Sequence, residues 1–209
     1  MRIINSIIFF LFLFTVNAQD NFVLVDNTEP LNKAIKENSL KVFSIKSDFK
    51  QHKVLSMLEE TLVSEGNFLY KKEDQVKWQY TSPFEYTIVI SNGKFQINNE
   101  GCISEFDMNS NEMFKQINNM IITAISGDFI DNKEFSVKFK ENNNYYIAQL
   151  SPTEKTVAEM LSSINIYFTK EDLNVEKVKF VEPGDDYTLI IFKNRQQNIQ
   201  IKDSEFQIN

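Results

Sequence analysis

Polar and apolar positions alternate along much of this chain, most regularly over residues 66–93, GNFLYKKEDQVKWQYTSPFEYTIVISNG. Phe68 and Tyr70 fall on one face, as do Val76, Trp78 and Tyr80. After the Ser82-Pro83 break, Phe84, Tyr86, Ile88 and Ile90 resume the pattern. A period of two carried by aromatic and β-branched residues predicts antiparallel strands with one buried face. Gly66, Lys72-Glu73-Asp74, Ser82-Pro83 and Asn92-Gly93 supply the turns, and Asn-Gly between apolar runs is the strongest short-range hairpin signal.

The same reading extends in both directions. Residues 42–54 form a strand with Phe43, Ile45 and Phe49 on one parity, and 55–62 continue as an extended or irregular segment. Phe95 and Ile97 open one further strand, and Ile103 and Phe106 another. Strands follow around Phe135 to Phe139, Tyr145 to Leu150, Ile164 to Phe168, Val175 to Val181 and Tyr187 to Phe192. Short strands at regular spacing predict a barrel or a strongly curved sheet, since a flat sheet this long would leave edges unprotected. The period changes to three and four in two places. Leu31, Ala34 and Ile35 follow Asn27-Thr28-Glu29-Pro30, a helix start with a cap residue and an early proline. Met113, Phe114, Ile117, Met120, Ile121, Ala124 and Ile125 make a wide apolar stripe over 110–126, which predicts a helix that either lids the sheet or fills it permanently. A short helix is also expected within 153–163, with Val157, Met160 and Leu161 on one side.

Residues 1–18 read as a signal peptide. Met1-Arg2 is a short positive start, an apolar run follows, and Val16-Asn17-Ala18 fits a small-residue cleavage site, with cleavage expected after Ala18. Residues 19–209 then make one exported domain. The chain carries a formal net charge of −7. Acidity without basic runs argues against nucleic acid and anionic membrane surfaces. No heptad seam is present, so a monomer is expected. The 19 phenylalanines call for a large apolar surface.

Catalytic patterns are absent from the sequence. It has no G-x-S-x-G, H-E-x-x-H, P-loop or C-x-x-C. The sole cysteine, Cys102, reads as a half-buried strand residue, and the sole histidine, His52, as a surface residue. Asp185-Asp186 reads as a solvated turn, with too few oxygens for calcium. A binding protein without cofactor or metal is therefore expected, not an enzyme.

Several elements together resemble the LolA family of periplasmic lipoprotein carriers. They are Phe49-Lys50-Gln51 for its F-x-Q, Gly66 to Tyr70 for its G-x-x-x-Y, Trp78-Gln79-Tyr80 for its W-x-Y-like pair, Pro83, and Asn92-Gly93 closing a strand. The resemblance continues through Gly184 to Asn194 and then Asn198-Ile199. It implies a mainly β, α+β fold: a half-open antiparallel β-barrel of about ten or eleven strands, with helices covering the concave face. It implies a cavity for acyl chains, for which the candidate lining is Phe49, Phe68, Trp78, Tyr80, Ile88, Ile90, Phe95, Met113, Ile117, Met120 and Ile121. In such carriers an arginine of an R-P pair latches the lid helix. Lys72 and Glu73 stand there in this chain, so Lys72 is the latch candidate, with the charge but without the planar multi-donor fork. The implied partners are acylated lipoproteins, an inner-membrane ABC-type exporter and an outer-membrane acceptor. A carrier of another amphiphile, such as a glycolipid or pigment, and an envelope lipoprotein or lipid sensor of the same fold remain open.

Overall fold

The computed structural model describes residues 21–58, 60–72, 75–107, 128–130 and 133–208. The expected signal peptide at 1–18 and the expected helix at 110–126 lie outside the described residues, as do Met113, Ile117, Met120 and Ile121.

The strands are β1 (Val23–Leu24), β2 (Ser44–Leu55), β3 (Glu60–Lys71), β4 (Gln75–Ser82), β5 (Tyr86–Ser91), β6 (Lys94–Asn99), β7 (Cys102–Asp107), β8 (Phe135–Glu141), β9 (Tyr145–Pro152), β10 (Ser163–Thr169), β11 (Val175–Val181) and β12 (Tyr187–Gln197). They form one sheet in the order β1-β8-β9-β10-β11-β12-β2-β3-β4-β5-β6-β7, antiparallel throughout. Its two edges, β1 and β7, do not pair with each other, so the sheet is open. The twelve described strands exceed the expected ten or eleven because β1, two residues pairing Val23 with Glu141 and Leu24 with Lys140, is too short to leave a periodic signal.

The face bearing the expected apolar parity packs into two clusters. One joins Leu31 and Ile35 of helix α1 (Glu29–Leu40) to Phe129 and to the inward residues of β8–β11, among them Phe139, Ala148, Ile166 and Val178. The other gathers the inward residues of β2–β6 and β12, and half-buried Phe180 and Phe192 pack against both. Helix α1 thus covers the inner face over β8–β11. Pro30 lies in the first turn as expected, but the cap residue Thr28 makes no side-chain capping hydrogen bond; the Glu29 N–H donates to Asn27 Oδ1 instead, at 3.2 Å. On the outer face, Leu69 and Val89 are capped by Ile201 and Phe206 of the C-terminal segment. Buried Ser44 donates to the Ile199 carbonyl (2.6 Å), and buried Ser47 donates to the Lys193 carbonyl (2.7 Å), so neither hydroxyl is orphaned.

The Asn92-Gly93 hairpin forms with both residues at positive φ, 52° and 72°, the geometry that makes Asn-Gly the preferred pair at a two-residue turn. Four details differ from the expected pattern. Phe84 lies in the β4–β5 turn and is 71% exposed, because Pro83 has no N–H to continue the ladder and β5 begins only at Tyr86. Phe43 precedes β2 and is exposed; its N–H donates to Asn198 Oδ1 and its carbonyl accepts from the Lys72 N–H. Cys102 is exposed, because it starts the edge strand β7, all of whose residues are exposed. The expected helix in 153–163 is only the four residues of α2 (Lys155–Ala158); Leu161 is buried beyond it, while Met160 is exposed.

Candidate functional site

Strand register aligns the site. Phe49 on β2 stands opposite Gly66 on β3, which stands opposite Tyr80 on β4, and Tyr80 opposite Tyr86 on β5. The next row runs Phe68, Trp78, Ile88 and Ile97, and the third runs Tyr70, Val76, Ile90 and Phe95. Because successive inward residues are two apart, three rows of side chains from five strands make a continuous apolar wall. All seven described candidates, Phe49, Phe68, Trp78, Tyr80, Ile88, Ile90 and Phe95, pack in this one cluster.

Gly66 makes the centre of the wall possible. A Cβ there would fall 2.8 Å from the edge of the Phe49 ring, so the ring of Phe49 leans over the position a side chain would otherwise fill. The rings then meet closely. Phe49 lies 4.9 Å from Trp78 and 5.1 Å from Tyr80, centroid to centroid. Phe68 lies 4.9 Å from Trp78 and 5.5 Å from Phe192, and Phe192 lies 6.0 Å from Trp78. These tilted and edge-on arrangements are those that ring quadrupoles favour.

Polar atoms on this face are few. The Tyr80 hydroxyl donates to Gln51 Oε1 at 2.9 Å, so the glutamine of Phe49-Lys50-Gln51 holds a phenol inside an apolar wall. Burial pushes the Tyr80 phenol up to about 12; the neighbouring Tyr86 adds to the shift, and the Trp78 indole opposes it. Burial also raises the Tyr86 phenol. The Trp78 indole N–H faces the Tyr80 hydroxyl, whose oxygen keeps lone pairs free to accept while its O–H is given to Gln51. Such a surface suits hydrocarbon chains.

The remaining candidates sit apart. Lys72 is exposed at the β3–β4 turn, with its backbone N–H 2.8 Å from the Phe43 carbonyl oxygen. His52 is half-buried on the face opposite Gln51, between Leu189 and Val63. Asp186 does more than expected of a solvated turn: its Oδ1 accepts from the Ser56 N–H (2.7 Å) and Oγ (2.6 Å), tying the β11–β12 turn to the end of β2. Among the described residues no group of three or more His, Cys, Asp or Glu could hold a metal ion. Sequence reasoning missed Ile190 and Phe192 as members of the wall, and Gln51 as its polar anchor. The alternation through β12 carried the signal for the first two, but which strand lies beside β2 is a matter of topology.

An outer-membrane lipoprotein carrier protein of Francisella tularensis subsp. tularensis is 28% identical over 202 residues, covering 96% of this chain and 90% of its own length. Among solved structures, an uncharacterized conserved protein from Thermus thermophilus matches with a TM-score of 0.50 at 6% identity, over 86% of this chain and 91% of its own. A LolA superfamily protein from Nitrosomonas europaea matches with a TM-score of 0.45 at 7% identity, over 85% of this chain and 97% of its own. Residues 40–209 match the sequence model of the outer membrane lipoprotein carrier protein LolA, and the chain belongs to that family.

Proposed function

We propose that this protein is a periplasmic carrier that binds the acyl chains of lipoproteins against its inner face and shuttles them from the inner to the outer membrane. The observation that carries this reading is the continuous wall of Phe49, Phe68, Trp78, Tyr80, Ile88, Ile90 and Phe95, extended by Phe192, on one face of an open sheet. Each methylene taken out of water against such a wall contributes about 0.8 kcal/mol, so partial enclosure of a long acyl chain suffices for capture. An open sheet suits release as well, because no closed barrel has to be broken to let the chain leave. Residues 1–18 are the cleaved signal peptide and 19–209 the single carrier domain. An inner-membrane ABC-type exporter loads the carrier and an outer-membrane acceptor unloads it. It works as a monomer, without cofactor and without catalysing a reaction.

The test is native mass spectrometry of protein taken from periplasm without detergent, followed by organic extraction. An adduct whose mass matches an acylated lipoprotein supports the reading. An adduct of another amphiphile redirects it to that cargo. A clean apo mass that persists after lipoprotein is added overturns it.

A further inference from the structure

On the outer face of β8–β11, strand register lines side chains up in two rows. One runs Lys138, Gln149, Asn165 and Lys179, and the next runs Lys140, Ile147, Tyr167 and Lys177. Each row begins and ends in lysine, so four lysines mark the corners of a patch about 14 Å across the strands and about 7 Å along them. Lys138 is exposed and the other three are half-buried. Neither row contains a carboxylate. Glu176, at the β10–β11 irregularity beside them, is engaged by Lys177 at 3.4 Å and by the Tyr145 hydroxyl at 2.7 Å. Lys138, Lys140 and Lys179 make no ion pair among the described residues. Two of the ammonium groups sit over phenol rings: Lys177 Nζ lies 4.3 Å from the Tyr145 centroid and Lys179 Nζ 3.7 Å from that of Tyr187. In a chain with a formal charge of −7 this is a local reversal of sign. No basic run is needed to make it, because alternate positions of antiparallel strands gather on one face.

We propose that this patch seats the protein on the surface of an anionic phospholipid bilayer. Its charge is complementary to lipid phosphates, and its form suits them. Lysine ammoniums are compact point charges on flexible stems, which follow mobile headgroups, whereas fixed carboxylates of a folded partner call for the planar fork of arginine. Tyrosine, with an apolar ring and a polar tip, is a residue of the membrane–water interface. The patch faces away from Phe139, Ala148, Ile166 and Val178, so a bilayer held there leaves the inner face open. Repulsion between the lipid and the acidic remainder of the chain opposes the patch and keeps the contact reversible. The proposal stands apart from the carrier reading.

The experiment is co-sedimentation of protein purified from periplasm with two kinds of vesicle, pure phosphatidylcholine and phosphatidylcholine mixed with phosphatidylglycerol. The wild type is expected to sediment with the mixed vesicles, to stay in solution beside pure phosphatidylcholine, and to be released as salt rises, because salt screens exposed charges. Lys138→Glu with Lys140→Glu reverses one end of both rows and is expected to weaken the partition by about tenfold or more, since each basic residue near an anionic leaflet adds to the attraction. A control of the same net charge, Lys33→Glu with Lys41→Glu, changes exposed lysines of helix α1 and its C-cap and is expected to bind as the wild type does. Failure of the wild type to sediment with the mixed vesicles overturns the proposal, and its capture by immobilised polyglutamate would then assign the patch to an acidic polypeptide. Equal sedimentation with both kinds of vesicle, or equal losses in the two variants, also overturns it. The wild-type comparison decides the matter even where a variant does not fold. Lipopeptide binding is read separately: its absence in the wild type would overturn the carrier reading and leave the patch standing.

Discussion

Gly66 and Gln79 approach more closely than any side chain would permit: a Cβ built on Gly66 would stand 2.0 Å from the Gln79 carbonyl oxygen and 2.8 Å from its carbon. Both atoms are backbone and cannot swing aside. The β3–β4 register shifts between Glu65 and Gly66, and the ring of Phe49 lies against the same position. Gly66→Ala therefore destabilises the fold by about 2–3 kcal/mol, the upper part of the range for overpacking. Urea unfolding followed by far-UV circular dichroism measures it. A midpoint unchanged from wild type would show that the strands separate freely here.

Phe68 and Phe84 look alike in the alternating pattern and differ completely in the fold. Phe68 is 1% exposed between Trp78 and Phe192, while Phe84 is 71% exposed in a turn. Phe68→Ala is expected to cost about 3–5 kcal/mol of stability. Phe84→Ala is expected to change it by less than about 0.5 kcal/mol. Thermal melts of both variants side by side check the contrast, and equal losses would place Phe84 in the core after all.

Tyr80 makes stability depend on alkaline pH. Its phenol is pushed up to about 12 in the fold by burial, against an ordinary value of 10.0. The folded state therefore holds this proton more tightly than the unfolded chain. The contribution is complete below pH 10 and is lost progressively as pH rises from 10 to 12, on the order of 2 kcal/mol in all. Tyr80→Phe removes both the titration and the hydrogen bond to Gln51, so it is less stable at neutral pH by about 1 kcal/mol. The difference between the two proteins shrinks through zero between pH 10 and 12 and then reverses, because the wild type's loss of about 2 kcal/mol exceeds the variant's deficit of about 1 kcal/mol. Denaturant titrations across that range test it, and a constant difference would contradict the buried phenol.

The hydrogen bonds from the Ser56 Oγ and N–H hold the Asp186 carboxyl below its ordinary 3.8. Because its folded value is depressed, the stabilisation it gives is present above the unfolded value and fades as pH falls through the folded one. Carbon-detected NMR titration should place Asp186 below the ordinary carboxyl value of 3.8, and Ser56→Ala should move it partway back up. Indistinguishable titrations in wild type and variant would show that the tether is not formed in solution.

The strands were legible because alternation needs only neighbouring residues. Phe49, Phe68, Trp78, Tyr80, Ile88, Ile90 and Phe95 share a face by parity, and antiparallel pairing then brings them together. Turn chemistry was legible at Asn92-Gly93 for the same local reason. What escaped depends on contacts far apart in the chain. Phe192 joins the wall only because β12 pairs with β2, opposite Phe49, more than a hundred residues away. Gln51 stood out only as part of the F-x-Q element, and nothing local showed that Tyr80, 29 residues on, would donate to it. Phe84 and Phe43 kept the right parity but fell just outside their strands, where a proline or a side-chain hydrogen bond ends the ladder. Cys102 was misjudged because exposure on an edge strand is a property of sheet order.

The most direct test of acyl-chain capture is a titration of the delipidated protein with a synthetic tripalmitoyl-cysteinyl peptide, followed through the single tryptophan, which lies within the wall. The account predicts a saturable change in Trp78 emission at one lipopeptide per chain, and co-elution of the complex in gel filtration without detergent. Unaltered emission together with elution of the lipopeptide apart from the protein would contradict it, and the wall would then be a core and nothing more.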